Sequence, residues 1–316
     1  MSKCAFLFPG QGAQYVGMGK EMAENYPSAK AVFEEADELL GYKISKIIFQ
    51  GEKKDLRKTE ITQPAVLITS IAVLAVLREE GIYPEGLAGL SLGEYSALVC
   101  AGVISFSDAL LIVQKRAQYM QEAVPLGEGG MAAILGLSPE EVRALCKESM
   151  SYGHVEPANY NCPGQIVIAG HMKAVKEVCR LAKEKKARAV VLSVSVPFHC
   201  RLLFTIKEKM VNLLRDISFK KPDIPFVSNV YADYLWDPEE IKRALVTQVY
   251  SPVYWEDSMR LLLKDGYDLF IETGPGRVLT GFMKKISREV HAIHVEDRLT
   301  LERLKKLFKG GVTLDS

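Results

Sequence analysis

Residues 87–100 read LAGLSLGEYSALVC: a short apolar run, a Gly-Leu-Ser-Leu-Gly turn at 89–93, then residues that favour a helix. A strand–turn–helix unit of this kind belongs to an α/β sheet. The Gly-x-Ser-x-Gly pattern inside it suits a serine held on a sharp turn, where glycines relieve crowding and the hydroxyl stands clear of the backbone. The amide after the serine then points into the same space. Glycine and serine are common, so the pattern alone describes an ordinary turn as readily as a nucleophile.

Upstream, the apolar run 4–8 ends at Pro9-Gly10, as a buried strand would. A long helical region follows, with Pro64 near the start of a segment 65–80 closed by Gly81. Downstream, 106–121 has helical spacing. At Gly127-Glu128-Gly129-Gly130 the pattern changes. Residues 131–137 read as a strand, and Ser138-Pro139-Glu140-Glu141 opens a capped helix. Residues 155–160 and 165–169 read as strands around Cys162-Pro163-Gly164, 172–186 as an amphipathic helix, and 188–196 as a further strand. That βαββαβ order is ferredoxin-like. After Pro197 the α/β pattern resumes, with a strand at 268–272, a Gly274-Pro275-Gly276 turn and a helix at 277–287. The expectation is an α/β-hydrolase-like large domain from 1–127 and 197–316, carrying a small ferredoxin-like domain at 128–196.

The chain has 316 residues, 48% hydrophobic and 25% charged, which suits a soluble globular protein with a sizeable core. A formal net charge of +1 excludes bulk attraction for nucleic acid. Six cysteines without a Cys-x-x-Cys pair read as reduced thiols of an intracellular protein. The first apolar run is too short for a signal peptide, and no segment is read as a membrane span, so a cytoplasmic location is expected.

A serine nucleophile needs a base, and there are five histidines. His154 and His171 each adjoin a glycine, and His291 and His294 lie in a short apolar run that suits a structural role. His199, in Val196-Pro197-Phe198-His199-Cys200, falls where a strand ends and two domains join, a common setting for pockets. A hydrolase triad runs Ser…Asp/Glu…His. Between Ser91 and His199 the only aspartate is Asp108, which capping of a helix start explains. The glutamates there mostly fall on charged helix faces, so a Ser–His dyad is favoured over a triad.

Arg116 shares a helix face with Ala109, Ile112 and Met120. An arginine in such a stripe either snorkels at the core edge or is held for a ligand. The stripe favours the edge, while the guanidinium would suit a carboxylate through two parallel hydrogen bonds. The segment Phe8-Pro9-Gly10-Gln11-Gly12-Ala13-Gln14 fails the dinucleotide fingerprint, because Tyr15 stands where the third glycine belongs. No GxxxxGK[ST] or HExxH pattern occurs.

FPGQGAQ at 8–14, GLSLGEYSAL at 89–98, ANYNCPGQIVIAG at 158–170, VPFHC at 196–200, QVYSPVYW at 248–255 and ETGPG at 272–276 occur in this order. Together they resemble the malonyl-CoA:acyl carrier protein transacylase family over essentially the whole chain. The resemblance implies a ping-pong acyl transfer from malonyl-CoA to acyl carrier protein in fatty acid synthesis. It implies Ser91 as the acylated nucleophile and His199 as its base, oriented by a backbone carbonyl. The backbone amides of Gln11 and Leu92 would hold the oxyanion, and Arg116 the malonyl carboxylate. Gln248 would position His199, and Phe198 would favour malonyl over a branched unit. No metal or cofactor is implied beyond the malonyl-CoA substrate, and a cytoplasmic monomer with no nucleic acid or membrane partner is expected. Lys183, Lys185, Lys186, Arg188 and Lys284, Lys285, Arg288 are candidates for a basic face toward the acidic carrier. Leu90 departs from the histidine usual before the nucleophile.

Overall fold

The computed structural model describes residues 2–194 and 196–309. Its strands are β1 (Lys3–Phe8), β2 (Gly86–Gly89), β3 (Gly129–Leu135), β4 (Val155–Cys162), β5 (Gln165–His171), β6 (Arg188–Val191), β7 (Phe226–Val227), β8 (Tyr267–Thr273) and β9 (His291–Val295). They form two sheets. The larger, ordered β7-β2-β1-β8-β9, is parallel throughout.

β1 lies at the centre of that sheet and is buried on both faces, which explains its unbroken apolar run. Cys4, Phe6 and Phe8 join one core with the helix Thr59–Glu79, while Ala5 and Leu7 join a second with the helices Trp255–Lys264 and Val278–Ile286. The loops leaving β1, β2 and β8 gather at the carboxyl edge of the sheet, where α/β folds bind ligands.

The helix Thr59–Glu79 begins earlier than the Pro64 signal suggests, and Pro64 lies inside it. Contrary to the reading that nothing approaches a membrane span, this helix has the length and composition to cross one. Its most apolar stretch is 83% buried within the protein. It is hydrophobic all round because it is a central core helix, packed on every side.

The smaller sheet, β4-β5-β3-β6, is antiparallel. With the helices Pro139–Glu148 and Met172–Glu184 it follows the order β3-helix-β4-β5-helix-β6 of a ferredoxin-like unit. Ser138 and Glu141 close a reciprocal capping box with Pro139 in the first helical turn, as the sequence predicts. One face of the sheet packs Ile134, Val155 and Ile168 against Val142, Leu145, Val175 and Val178 of the two helices. From the other face Met131, Ala133 and Val167 wall a cavity beside the large sheet.

The strand expected over 188–196 is shorter. The ladder ends at Val191, Leu192 N donates to Met131 O at 2.9 Å, and Leu192 and Val194 then turn to line the cavity. Position 195 lies outside the described residues. All six cysteines are buried and unpaired.

Candidate active site

Ser91 sits between β2 and the helix Gly93–Cys100 with φ 54°, in the left-handed region. Only close backbone contacts hold a non-glycine residue there, at a cost of about 1–3 kcal/mol. The flanking glycines permit those contacts. A Cβ at Gly93 would collide with the Phe8 carbonyl oxygen, and one at Gly89 with the Gly93 backbone. Asn229 clamps the turn from outside. Its Oδ1 accepts from Ser91 N at 2.6 Å and its Nδ2 donates to Gly89 O at 2.7 Å.

His199 also has a positive φ, 59°. Its Nδ1 faces the Gln248 carbonyl at 2.8 Å and its Nε2 faces Ser91 Oγ at 2.6 Å. A carbonyl only accepts, so Nδ1 carries the proton and Nε2 is left to accept from the serine hydroxyl. Burial first, and the nearby Arg116 charge second, push the imidazole down to about 3, which keeps it a neutral base. A backbone carbonyl thus occupies the place of a triad acid. Asp108 is elsewhere, bonded to Ser105 at the start of the helix Phe106–Ala123.

Arg116 is 1% exposed, so the edge position that its stripe favours is overturned. Its Nη1 donates to Gln63 Oε1 at 2.7 Å, and its Nη2 to Gln248 Oε1 at 2.9 Å and Ser91 Oγ at 3.3 Å. Nε has no partner among the described residues. Among the described residues every hydrogen-bond acceptor on Arg116 is a neutral oxygen, and the nearby Glu94 carboxyl acts on it through charge alone. Helical spacing revealed the buried face but not the polar partners, which come from distant segments.

Gln248 ends the helix Pro238–Gln248 and is fully buried. While its backbone orients His199, its side-chain nitrogen donates to Ser91 O at 2.9 Å and to Glu94 Oε2. Glu94 is 1% exposed and takes the Asn229 amide at 3.2 Å. Burial raises its carboxyl to about 7, against the lowering effects of Gln248, Asn229 and Arg116. Glu94 is thus an exception to the expectation that the glutamates between Ser91 and His199 mostly fall on charged helix faces. Sequence reading also passed over Gln63 and Asn229; polar residues inside otherwise apolar runs were the available signal.

The cavity, about 280 Å³, is lined by Ser91, His199, Gln11, Leu92, Leu90 and Phe198 among others. The backbone amides of Gln11 and Leu92 have no hydrogen-bond acceptor among the described residues. Leu90 is an apolar wall residue, and Phe198 is nearly buried. Asn159 and Asn161 add polar groups from β4. Of the basic runs, Lys285 reaches the rim, where its Nζ donates to Gln165 Oε1 at 3.0 Å. Lys183, Lys185, Lys186 and Arg188 are exposed on the small unit.

Residues 5–306 match the acyl transferase domain family. The chain is 50% identical over 304 residues to the malonyl CoA-acyl carrier protein transacylase of Bacillus subtilis (strain 168), covering 96% of each. It superposes on the malonyl CoA-acyl carrier protein transacylase of Clostridium perfringens ATCC 13124 with a TM-score of 0.94, at 44% identity and 98% coverage of both chains. A malonyl-transacylase solved in complex with its type II polyketide synthase acyl-carrier protein gives a TM-score of 0.95 at 42% identity, covering 97% of this chain and 100% of that one. The chain belongs to the acyl transferase family, among the malonyl CoA-acyl carrier protein transacylases.

Proposed function

We propose that this chain moves a malonyl group from coenzyme A to the phosphopantetheine thiol of acyl carrier protein, supplying fatty acid synthesis through a malonyl-Ser91 intermediate. His199 Nε2 takes the Ser91 proton as Oγ attacks the thioester carbonyl. The C–S bond then breaks and the coenzyme A thiol leaves with that proton. In the second half the carrier thiol gives its proton to His199 and attacks the acyl-serine, and Ser91 recovers its proton. A positioned base of this kind contributes roughly 10²–10⁴-fold. The Gln11 and Leu92 amides hold the oxyanion, a donor of this type being worth about 2.7–4 kcal/mol. Arg116 holds the free malonyl carboxylate, Gln248 positions His199, and Phe198 narrows the pocket against branched acyl groups.

The observation that carries this reading is a buried cation whose hydrogen-bond partners among the described residues are all neutral, 3.3 Å from the hydroxyl of a serine–histidine pair. Esters and thioesters without a charge give no use for it. Malonyl-CoA and acyl carrier protein are the partners; the chemistry draws on no metal, redox cofactor, nucleic acid or membrane. The enzyme works as a monomer in the cytoplasm; sedimentation of the purified chain tests the first and cell fractionation the second.

Intact-protein mass after brief mixing with malonyl-CoA, beside a Ser91→Ala variant, tests the mechanism. A malonyl adduct on the unmodified chain alone, discharged onto added carrier protein, is expected. Free malonate accumulating without an adduct would mean a hydrolase instead.

A further inference from the structure

Glu94 is buried beneath the active site and does not line its cavity, and the transfer chemistry gives it no step. Its two oxygens serve separate segments. Oε1 accepts from Asn229 N at 3.2 Å, and Oε2 accepts from the Gln248 side-chain amide. Both partners present an N–H, so the position demands two acceptors and no donor. An ionised carboxylate meets that demand. A carboxamide in its place would turn its own N–H groups against one of the two.

Gln248 relays the constraint. Its amide has a nitrogen end and an oxygen end, and a half-turn exchanges them. With Nε2 held by Glu94 and by Ser91 O at 2.9 Å, Oε1 is left facing Arg116 Nη2 at 2.9 Å. Reversed, the amide would set N–H groups against the guanidinium. Carboxylate, amide and guanidinium therefore meet in one order, and the same Nη2 reaches Ser91 Oγ.

This order also places the counter-charge. A buried cation needs a negative group near it. Bonded directly to Arg116, a carboxylate would compete with a substrate carboxylate for the same donors. Set behind Gln248, Glu94 offsets the Arg116 charge at one remove, and the oxygens on Arg116 stay neutral. An incoming carboxylate then displaces only a neutral acceptor.

We propose that Glu94 is a positioning residue for recognition of the acyl carboxylate, acting on Arg116 through the Gln248 amide, an inference that rests on the malonyl-transfer reading above. It touches neither the substrate nor the reacting atoms.

The test is Ser91 acylation of the full chain by malonyl-CoA and by acetyl-CoA, with kcat and KM measured for Glu94→Gln, Glu94→Asp and Gln248→Glu. Counting active sites by the acyl adduct keeps misfolded protein out of the rates. A loosened Ser91 turn lowers kcat for both donors alike, whereas a misdirected Arg116 raises KM for malonyl-CoA alone. In Glu94→Gln the KM for malonyl-CoA should rise about tenfold relative to that for acetyl-CoA, which corresponds to about 1.4 kcal/mol. Glu94→Asp keeps the charge and both acceptors, and should recover much of that difference. Gln248→Glu sets a carboxylate directly on Arg116 while the backbone carbonyl stays on His199. It should raise the malonyl-CoA KM selectively as well, and it carries the test if Glu94→Gln does not fold. Equal changes with both donors in Glu94→Gln or Gln248→Glu, or no recovery in Glu94→Asp, overturns the role. Acylation of the unmodified chain no faster by malonyl-CoA than by acetyl-CoA would instead overturn the malonyl-transfer reading itself.

Discussion

Arg116 Nη2 stands 3.3 Å from Ser91 Oγ, so the only buried arginine among the described residues is a direct neighbour of the nucleophile. An acyl group on Ser91 that ends in a carboxylate falls within reach of that guanidinium; one that ends in a methyl gains nothing from it.

Arg116→Ala should therefore lower kcat/KM for malonyl-CoA about 10²-fold, the loss expected for a charge-assisted hydrogen bond of about 1.5–3 kcal/mol. Acetyl-CoA should change far less. The ratio of the two separates substrate recognition from the general damage of leaving Gln63 and Gln248 without their donor. Equal losses with both substrates would contradict the assignment.

His199 should stay neutral through the physiological range, since its folded pKa lies near 3 against an ordinary 6.5. Its ring nitrogens should show no titration between pH 8 and 5 by NMR, and a midpoint near 6.5 would refute the buried geometry. Because the folded value is depressed, the stability it contributes is complete above about 6.5 and is lost as pH falls toward 3.

Glu94 should act in the opposite direction over a different window. Its folded pKa, about 7, lies above the ordinary 4.5, so stability falls as pH rises between those values. Glu272, raised to about 7 by its own burial, contributes in the same window. Comparison with Glu94→Gln isolates the first group. Urea unfolding at pH 5 and 7.5 should show a difference smaller in the variant by on the order of 2–3 kcal/mol. An identical pH dependence would show that Glu94 does not take up a proton on folding.

Asn229→Ala should loosen the turn that carries Ser91, because it removes the acceptor of Ser91 N and the donor to Gly89 O together. The expected outcome is a kcat for acylation at least tenfold lower with little change in KM, since Asn229 does not line the cavity. Asn229→Asp keeps the acceptor and should recover part of kcat. No recovery, or a change confined to KM, would assign Asn229 a different role.

Local chemistry carried much of this fold. The apolar run ending at Pro9-Gly10 suits a buried strand, and Ser138-Pro139-x-Glu141 satisfies the first turn of its own helix. Both signals act within a few residues, so they survive without tertiary context. Ser91 was legible because its two glycines are a local steric demand of the turn. His199 was legible only as the best placed of several histidines until the ordered motifs of a known family were recognised.

What the tertiary structure decided was every relationship that crosses the chain. Arg116 reads as a core-edge residue from its helical stripe, because spacing reports which side of a helix is apolar and nothing about what meets it. Its burial is tolerated because Gln63, Gln248 and Ser91, from three separate segments, supply neutral acceptors. Glu94 reads only as one of the helix-prone residues after the serine turn, yet Asn229 and Gln248 close over it from more than a hundred residues away. The sequence by itself marked the first strand, the strand and helix order of the small unit, and the turn that carries Ser91. Only the fold decided which polar groups share the buried space beneath it, because desolvation acts on whatever packing brings together.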